Sequence, residues 1–470
     1  MESTRSVGNR RSWIQRVLVG AVLSAAILVW VALSRHSPPR SAGSNIVETV
    51  PVTNSATVTA AAPSTTLLIG PANENTSVST KPSVLAKRLA TFANALPPDA
   101  CLVVQEGNSL SVAVNPDKAL IPASTLKLFT AIAAINVLGS DHHFTTSVLA
   151  AAPATNGRLV GDLVLVGDGD PVLSTARYQS NQRHQPAIAT SLEVLADRIT
   201  QAGITTVTGS IVGDEHKFAP DRFLPSWGYP YDYATRTGPL SALELNDGWA
   251  SPTDVQTDPA QYAASILQQI LVTRGVTFGV DARSGTLSSQ RTVIAQIESP
   301  PVHVIVEEML RNSDNMTAEL LAKNIDSARH GPGTILTAAA TIQTALAEEG
   351  FSFKALQMID ASGTAASNQA SCTNLIQAVN SLRAKSSLAQ RGFATAGLTG
   401  TLSSRYINTP AQGRLHAKTG SITGVASMTG YIDPEPLTTN PTITFAIIIN
   451  NVISNKKYAY EDTLIDLLTQ

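Results

Sequence analysis

The chain has 470 residues, with 33 Lys and Arg against 35 Asp and Glu, a formal net charge of −2 and a charged fraction of only 14%. That length accommodates two or three domains beside any tail, and the absence of a basic stripe interleaved with aromatics argues against nucleic-acid binding. The two cysteines, Cys101 and Cys372, fit neither a zinc spacing nor a C-x-x-C pattern, so no metal and no other cofactor is expected.

The elements are read in chain order. Arg5, Arg10, Arg11 and Arg16 precede an apolar run from Val17 to Leu33. The run is just long enough to span a membrane, and the arginines hold the N-terminus in the cytoplasm. Residues 1–35 are therefore expected to be a cytoplasmic tail and membrane anchor, with the remainder outside the cytoplasm; a cleaved signal peptide and secretion is the rival reading. Residues 36–82, rich in Ser, Thr, Pro and Ala and nearly uncharged, read as a flexible stalk. Cys101–Gln105 and Leu110–Asn115 read as two strands joined by a turn. Ser124-Thr125 then offer a helix cap before an apolar run that ends at Gly139. Strands are expected at Phe144–Ala150, Leu159–Val166 and Ser210–Asp214. Helices are expected at Ile188–Ala202, Pro259–Arg274, Val302–Arg311, Thr334–Glu349 and Thr373–Arg383. Strands at Gly413–Thr419, Gly424–Ile432 and Thr442–Val452 and a helix at Lys457–Leu468 close the chain. The two early and three late strands can form one antiparallel sheet beside a helical half.

Three strings carry chemistry: Ser124-Thr-Leu-Lys127, Ser313-Asp-Asn315 and Lys418-Thr419-Gly420. Together, in this order, they are the set found in class A β-lactamases and penicillin-binding proteins. A serine hydroxyl needs an adjacent base to become a nucleophile, and Ser124 and Lys127 share a helix face. A buried lysine near a second cation has a lowered pKa, and Lys418 is expected to be that cation. Ser313 can relay protons, and Asn315 can donate to a substrate carbonyl. Lys418 and Thr419 suit a terminal carboxylate. The N–H groups of Ser124 and Ser421, beside Gly420, are the expected oxyanion hole.

From about residue 85 onward the chain resembles the D-alanyl-D-alanine carboxypeptidases known as low-molecular-mass class C penicillin-binding proteins. The resemblance rests on the trio and on Gly161-Asp-Leu163 through Gly167-Asp-Gly-Asp170-Pro-Val-Leu173, Gly209–Asp214, Ser241-Ala-Leu243, Ser299-Pro-Pro301 and Lys418–Tyr431. It implies an α+β fold. A β-lactamase/transpeptidase-like domain (83–140 and 296–470), with a five-stranded antiparallel sheet and a helical half, would be interrupted by a strand-rich inserted domain (141–295). The short interval between Asn246 and Pro259 leaves no room for the third domain that the family often carries, and Asp360-Ala-Ser-Gly-Thr364 is looser than the family's block there.

The implied partners are a peptidoglycan stem peptide, β-lactam antibiotics as covalent inhibitors, and the membrane through the N-terminal helix. The implied activity is serine-type D-Ala-D-Ala carboxypeptidase, with endopeptidase cleavage of cross-links beside it. A β-lactamase, which needs a deacylating base for which Glu244 is the nearest candidate but at the wrong spacing, and a non-catalytic wall-binding protein of the same fold are the alternatives. The resemblance also places Asp170 at the cleft rim, where its carboxylate would meet the side-chain amine of the stem peptide; turn capping before Pro171 is the other reading. An oxidising compartment would favour a Cys101–Cys372 disulfide, contributing roughly 4–5 kcal/mol in the chain-entropy model; two buried free thiols is the alternative. Gly413–Thr419 falls short of a P-loop, because Ala417 stands where glycine is needed.

Overall fold

The helices and strands follow the apolar periodicity closely. In chain order the computed structural model has α1 (Val84–Asn94), β1 (Ala100–Glu106), β2 (Ser109–Val114), α2 (Lys127–Leu138), β3 (Thr145–Ala150), β4 (Leu163–Val166), α3 (Leu192–Gln201), β5 (Ile211–Asp214), α4 (Pro259–Thr273), β6 (Arg283–Ser284) and β7 (Thr292–Glu298). There follow α5 (Val302–Asn312), α6 (Asn315–His330), α7 (Ile335–Glu348), α8 (Cys372–Ala384), β8 (Ala394–Thr395), β9 (Leu415–Ile422), β10 (Val425–Ile432), β11 (Ile443–Asn450) and α9 (Lys457–Thr469). The structure describes residues 83–181, 188–227, 237–251, 254–286, 291–385, 391–436, 438–453 and 456–470. The anchor at 1–35 and the stalk at 36–82 lie outside them. Among the described residues no helix is long and apolar enough to cross a membrane.

The main sheet has the order β8-β9-β10-β11-β1-β2, antiparallel throughout. Its sixth member, β8, is two residues long and extends the five-stranded sheet read from the sequence. One face is covered by α8, and α2, α5 and α7 complete the same apolar core through Phe129, Ile132, Val306 and Ile342, with Val379 on α8. The other is covered by α1 and α9 through Leu89, Phe92, Leu464 and Leu468. β10 is buried along its whole length because both faces are covered. A disulfide joins Cys101 on β1 to Cys372 at the start of α8, pinning the helical layer to the sheet.

The inserted segment has its own apolar core, built from Val148, Leu165, Leu195, Ile211 and Leu267. Its sheet, β6-β5-β4-β3-β7, is mixed: β4 pairs with β5 in parallel and with β3 antiparallel. The insert is tied into the helical layer by polar contacts. Lys323 of α6, fully buried, donates to Asp221 Oδ1 at 2.6 Å and to the Ala219 carbonyl at 3.0 Å. Asn324 Nδ2 donates to the Gly169 carbonyl at 2.8 Å, and Trp227 Nε1 to Asp360 Oδ2 at 2.9 Å.

Candidate active site

Four local structures bring the three strings together. Ser124 lies in a 3₁₀ turn, Ala123–Leu126, that runs directly into α2. Neither Ser124 nor Thr125 caps the helix, contrary to the reading from sequence. The turn continues into α2 without a side-chain cap, and Thr125 Oγ1 instead donates to the Pro122 carbonyl at 2.7 Å. Ala123 holds a left-handed backbone, φ 49°, just before the nucleophile. Non-glycine residues in that region persist only where surrounding structure enforces them, as at functional sites.

Ser313-Asp314-Asn315 forms the corner between α5 and α6. Ser313 ends α5 in a left-handed conformation, φ 64°, and Asp314 caps α6 by accepting from Thr317 N at 2.6 Å. Lys418, Thr419 and Gly420 lie within β9, where Lys418 pairs with Thr429 and Gly420 with Ser427. Gly420 is required by close approach: a Cβ there would press on the Pro122 carbonyl and come within 3.0 Å of Ser124 N. Ser421, exposed, follows on the same strand.

The fourth structure is the loop Asp360–Thr364. Asp360 Oδ1 accepts from Gly363 N at 2.8 Å and from Asn368 Nδ2 at 2.8 Å. Glu319, 1% exposed on α6, accepts from Ser362 N at 2.8 Å. These bonds hold the Ser362 carbonyl at 2.6 Å from Lys127 Nζ.

Lys127 is the hub. It is fully buried, and its Nζ also donates to Ser124 Oγ at 3.1 Å and to Asn315 Oδ1 at 2.6 Å. Burial brings its pKa down to about 8, against the opposing charges of Asp314, Asp360 and Glu319. Lys418 Nζ donates to Ser313 Oγ and to the Thr419 carbonyl, both at 2.7 Å. Burial holds Lys418 well below its ordinary range, and the neighbouring Lys127 charge lowers it further. Thr419 Oγ1 donates to Thr401 Oγ1 at 2.9 Å, which orients the hydroxyl at the cleft.

Asp170 does not stand at an exposed rim. It is 2% exposed, its Oδ1 accepts from Val172 N at 2.9 Å, and burial raises its pKa to about 6. The structure shows the capped turn before Pro171. Glu244 is equally unsuited to activate a deacylating water. It is buried, accepts from Gly248 N, and burial followed by repulsion from Asp247 holds its pKa well above normal. Among the described residues no group of His, Cys, Asp or Glu is arranged to hold a metal.

Glu319 and the Ser362 carbonyl were not singled out in the sequence. Only the position of Glu319, four residues after Asn315 and so on the same face of α6, could have pointed to it.

Comparison with known proteins gives the family. The family model of the D-Ala-D-Ala carboxypeptidase 3 (S13) family matches residues 99–257 and 251–470. Carboxypeptidase DacB of Mycolicibacterium smegmatis is 30% identical over 346 residues, covering 70% of this chain and 71% of that one. The D-alanyl-D-alanine carboxypeptidase of an Actinomadura species is 26% identical over 427 residues, covering 73% and 76%. The crystal structure of penicillin binding protein 4 from Haemophilus influenzae superposes with a TM-score of 0.68 at 20% identity, covering 81% of this chain and 99% of that one. With the nucleophile, the lysines and the family match in place, the chain belongs to the D-Ala-D-Ala carboxypeptidase 3 (S13) family and is a serine-type D-Ala-D-Ala carboxypeptidase.

Proposed function

We propose that Ser124 attacks the penultimate D-alanine carbonyl of a peptidoglycan stem peptide while neutral Lys127 takes the hydroxyl proton. The Oγ–C bond forms, the peptide C–N bond breaks, and D-alanine leaves after its amine receives a proton through Ser313. Water then hydrolyses the acyl-enzyme. The observation that carries this reading is the 3.1 Å contact between Lys127 Nζ and Ser124 Oγ, made by a lysine with a pKa near 8. Roughly a tenth of such a lysine is neutral at pH 7, enough for a general base.

Backbone N–H groups of Ser124 and Ser421 stabilise the oxyanion in this scheme. Thr419 and Lys418 receive the terminal carboxylate, whose negative charge draws Lys418 back toward its protonated form. β-Lactams acylate the same serine and persist there, because Glu244 is unsuited to deacylate them. The catalytic part works outside the cytoplasm, tethered by the run Val17–Leu33. Cleavage of cross-links uses the same site when the leaving amine belongs to a neighbouring stem.

Incubation with a pentapeptide stem and with a cross-linked dimer, reading both products, tests the reading. Release of D-alanine by the wild type and none by Ser124→Ala is expected. Release that survives the substitution, or fluorescent penicillin that still labels Ser124→Ala, overturns it.

A further inference from the structure

The inserted domain contains a cavity of about 760 Å³ lined by Tyr178, Trp249, Tyr262, Asn246, Glu193 and Ile266 among others. That volume lies within the range of about 300–1,000 Å³ typical of sites for small organic ligands. Aromatic residues make up only 5% of the chain, yet three line this one cavity, each half-buried.

The polar groups are fixed in advance. Asn246 Oδ1 accepts from Thr175 N at 2.9 Å and from Thr175 Oγ1 at 3.3 Å, so the amide orientation is set and Nδ2 has no partner among the described residues. The Trp249 indole N–H likewise has none there. Asn246 and Asp247 are consecutive left-handed residues, φ 59° and 53°, and Tyr178 OH donates to Asp247 Oδ2 at 2.5 Å. Two such residues in a row are held strain of the kind found at binding sites. Glu193 accepts from Ala176 N and Ser191 Oγ, both at 3.0 Å, and Arg177 stands at the same wall, so the lining carries one charge of each sign.

Aromatic faces with fixed N–H donors and no net charge suit a ligand with an apolar C–H face and a rim of neutral oxygen acceptors. A pyranose ring carrying an acetamido group has that form. We propose that this cavity is a saccharide subsite that takes a neutral N-acetylated hexose of the glycan strand to which the stem peptide is attached, an inference that rests on the wall-peptide reading above. The rings stack on the sugar face, and Asn246 Nδ2 and the Trp249 N–H donate to acetamido and hydroxyl oxygens.

The test is titration of the full chain with N,N′-diacetylchitobiose, and with maltose, which has no acetamido group, followed by saturation-transfer NMR. Saturable binding of the acetylated disaccharide is expected. Trp249→Ala and Asn246→Asp should each weaken it at least about tenfold, the scale of a lost ring contact or hydrogen bond. Asn246→Asp keeps the volume and the left-handed tolerance but exchanges the donor for a carboxylate, which repels neutral acceptor oxygens, so it decides the matter if Trp249→Ala fails to fold. Absence of saturable binding to the wild type, equal binding of maltose, unchanged binding by Asn246→Asp, or a response only to a sugar-free stem peptide overturns the subsite. Sugar binding requires no turnover. Penicillin labelling of Ser124 in the same samples therefore reports separately on the hydrolase reading: label without sugar binding strikes the subsite, and sugar binding without label strikes the hydrolase.

Discussion

Lys127 and Asn315 meet across the cleft, Nζ to Oδ1 at 2.6 Å, so the base and the second motif are held as one unit. The same nitrogen reaches the nucleophile and the Ser362 carbonyl. A group with three fixed acceptors cannot drift, and its proton is the one variable left.

That proton sets the pH dependence. With a Lys127 pKa of about 8, the neutral, base-competent fraction rises about tenfold per pH unit below 8 and levels off above it. Second-order acylation by penicillin, measured by stopped flow from pH 6 to 9, should follow that limb. Lys127→Ala should lose at least about 10³-fold in acylation rate, since residues acting as a unit fail together. A flat profile would assign the base elsewhere.

Glu319 is the next lever. Burial first, then repulsion from Asp360, raises its pKa to about 8, so it is mostly protonated at neutral pH. Glu319→Gln retains an acceptor for the Ser362 N–H and removes a group whose charge opposes the fall in the Lys127 pKa. The rate–pH limb should move slightly downward, with less than about a threefold change in rate at pH 7. Glu319→Leu leaves the Ala361 and Ser362 N–H groups without an acceptor and should collapse acylation and lower Tm together. The two rate–pH profiles and a thermal melt separate positioning from simple structure.

Gly363 has φ +80°, and a Cβ there would overlap the Ala123 carbonyl and stand 3.1 Å from Ser124 N. Gly363→Ala should therefore displace the nucleophile turn and reduce penicillin labelling by at least about 10²-fold, the cost typical of a misplaced reacting group. Gly139, whose Cβ would meet nothing within 4 Å, is the control at another positive-φ glycine. Gly139→Ala should cost backbone strain of about 1–3 kcal/mol, seen in Tm, and leave labelling intact.

The disulfide closes a separation of 271 residues. In the chain-entropy model its loss costs about 5.6 kcal/mol. Cys101→Ser with Cys372→Ser should lower Tm substantially in non-reducing buffer, and unreduced wild type should show no alkylatable thiol by mass spectrometry.

Much of this was legible in the chain because side-chain chemistry marks it. Ser124, Lys127, Ser313, Asn315 and Lys418 lie in short strings whose residue types are tied to acyl transfer, and the structure brings them together. The helix Val84–Asn94 was missed although Ser83 caps it and Leu85, Leu89 and Phe92 recur at helical spacing. The Ser362 carbonyl has no side-chain signature, so no reading of residue types could find it. The rim position of Asp170 rested on the family resemblance, and only the packing of the insert shows the side chain buried.

The buried cation at Lys323 bears on how such a protein can be shortened. The insert resembles an ornament that a deletion could remove, yet Asp221 and the Ala219 carbonyl, which neutralise and solvate that ammonium, both belong to it. Excision would remove both partners of that ammonium, open the lysine to water, and uncover Met316, Leu320 and Ile335, which pack against Phe218 and Trp227 of the insert. A minimal catalytic fragment therefore needs those apolar residues replaced by polar ones in the same step.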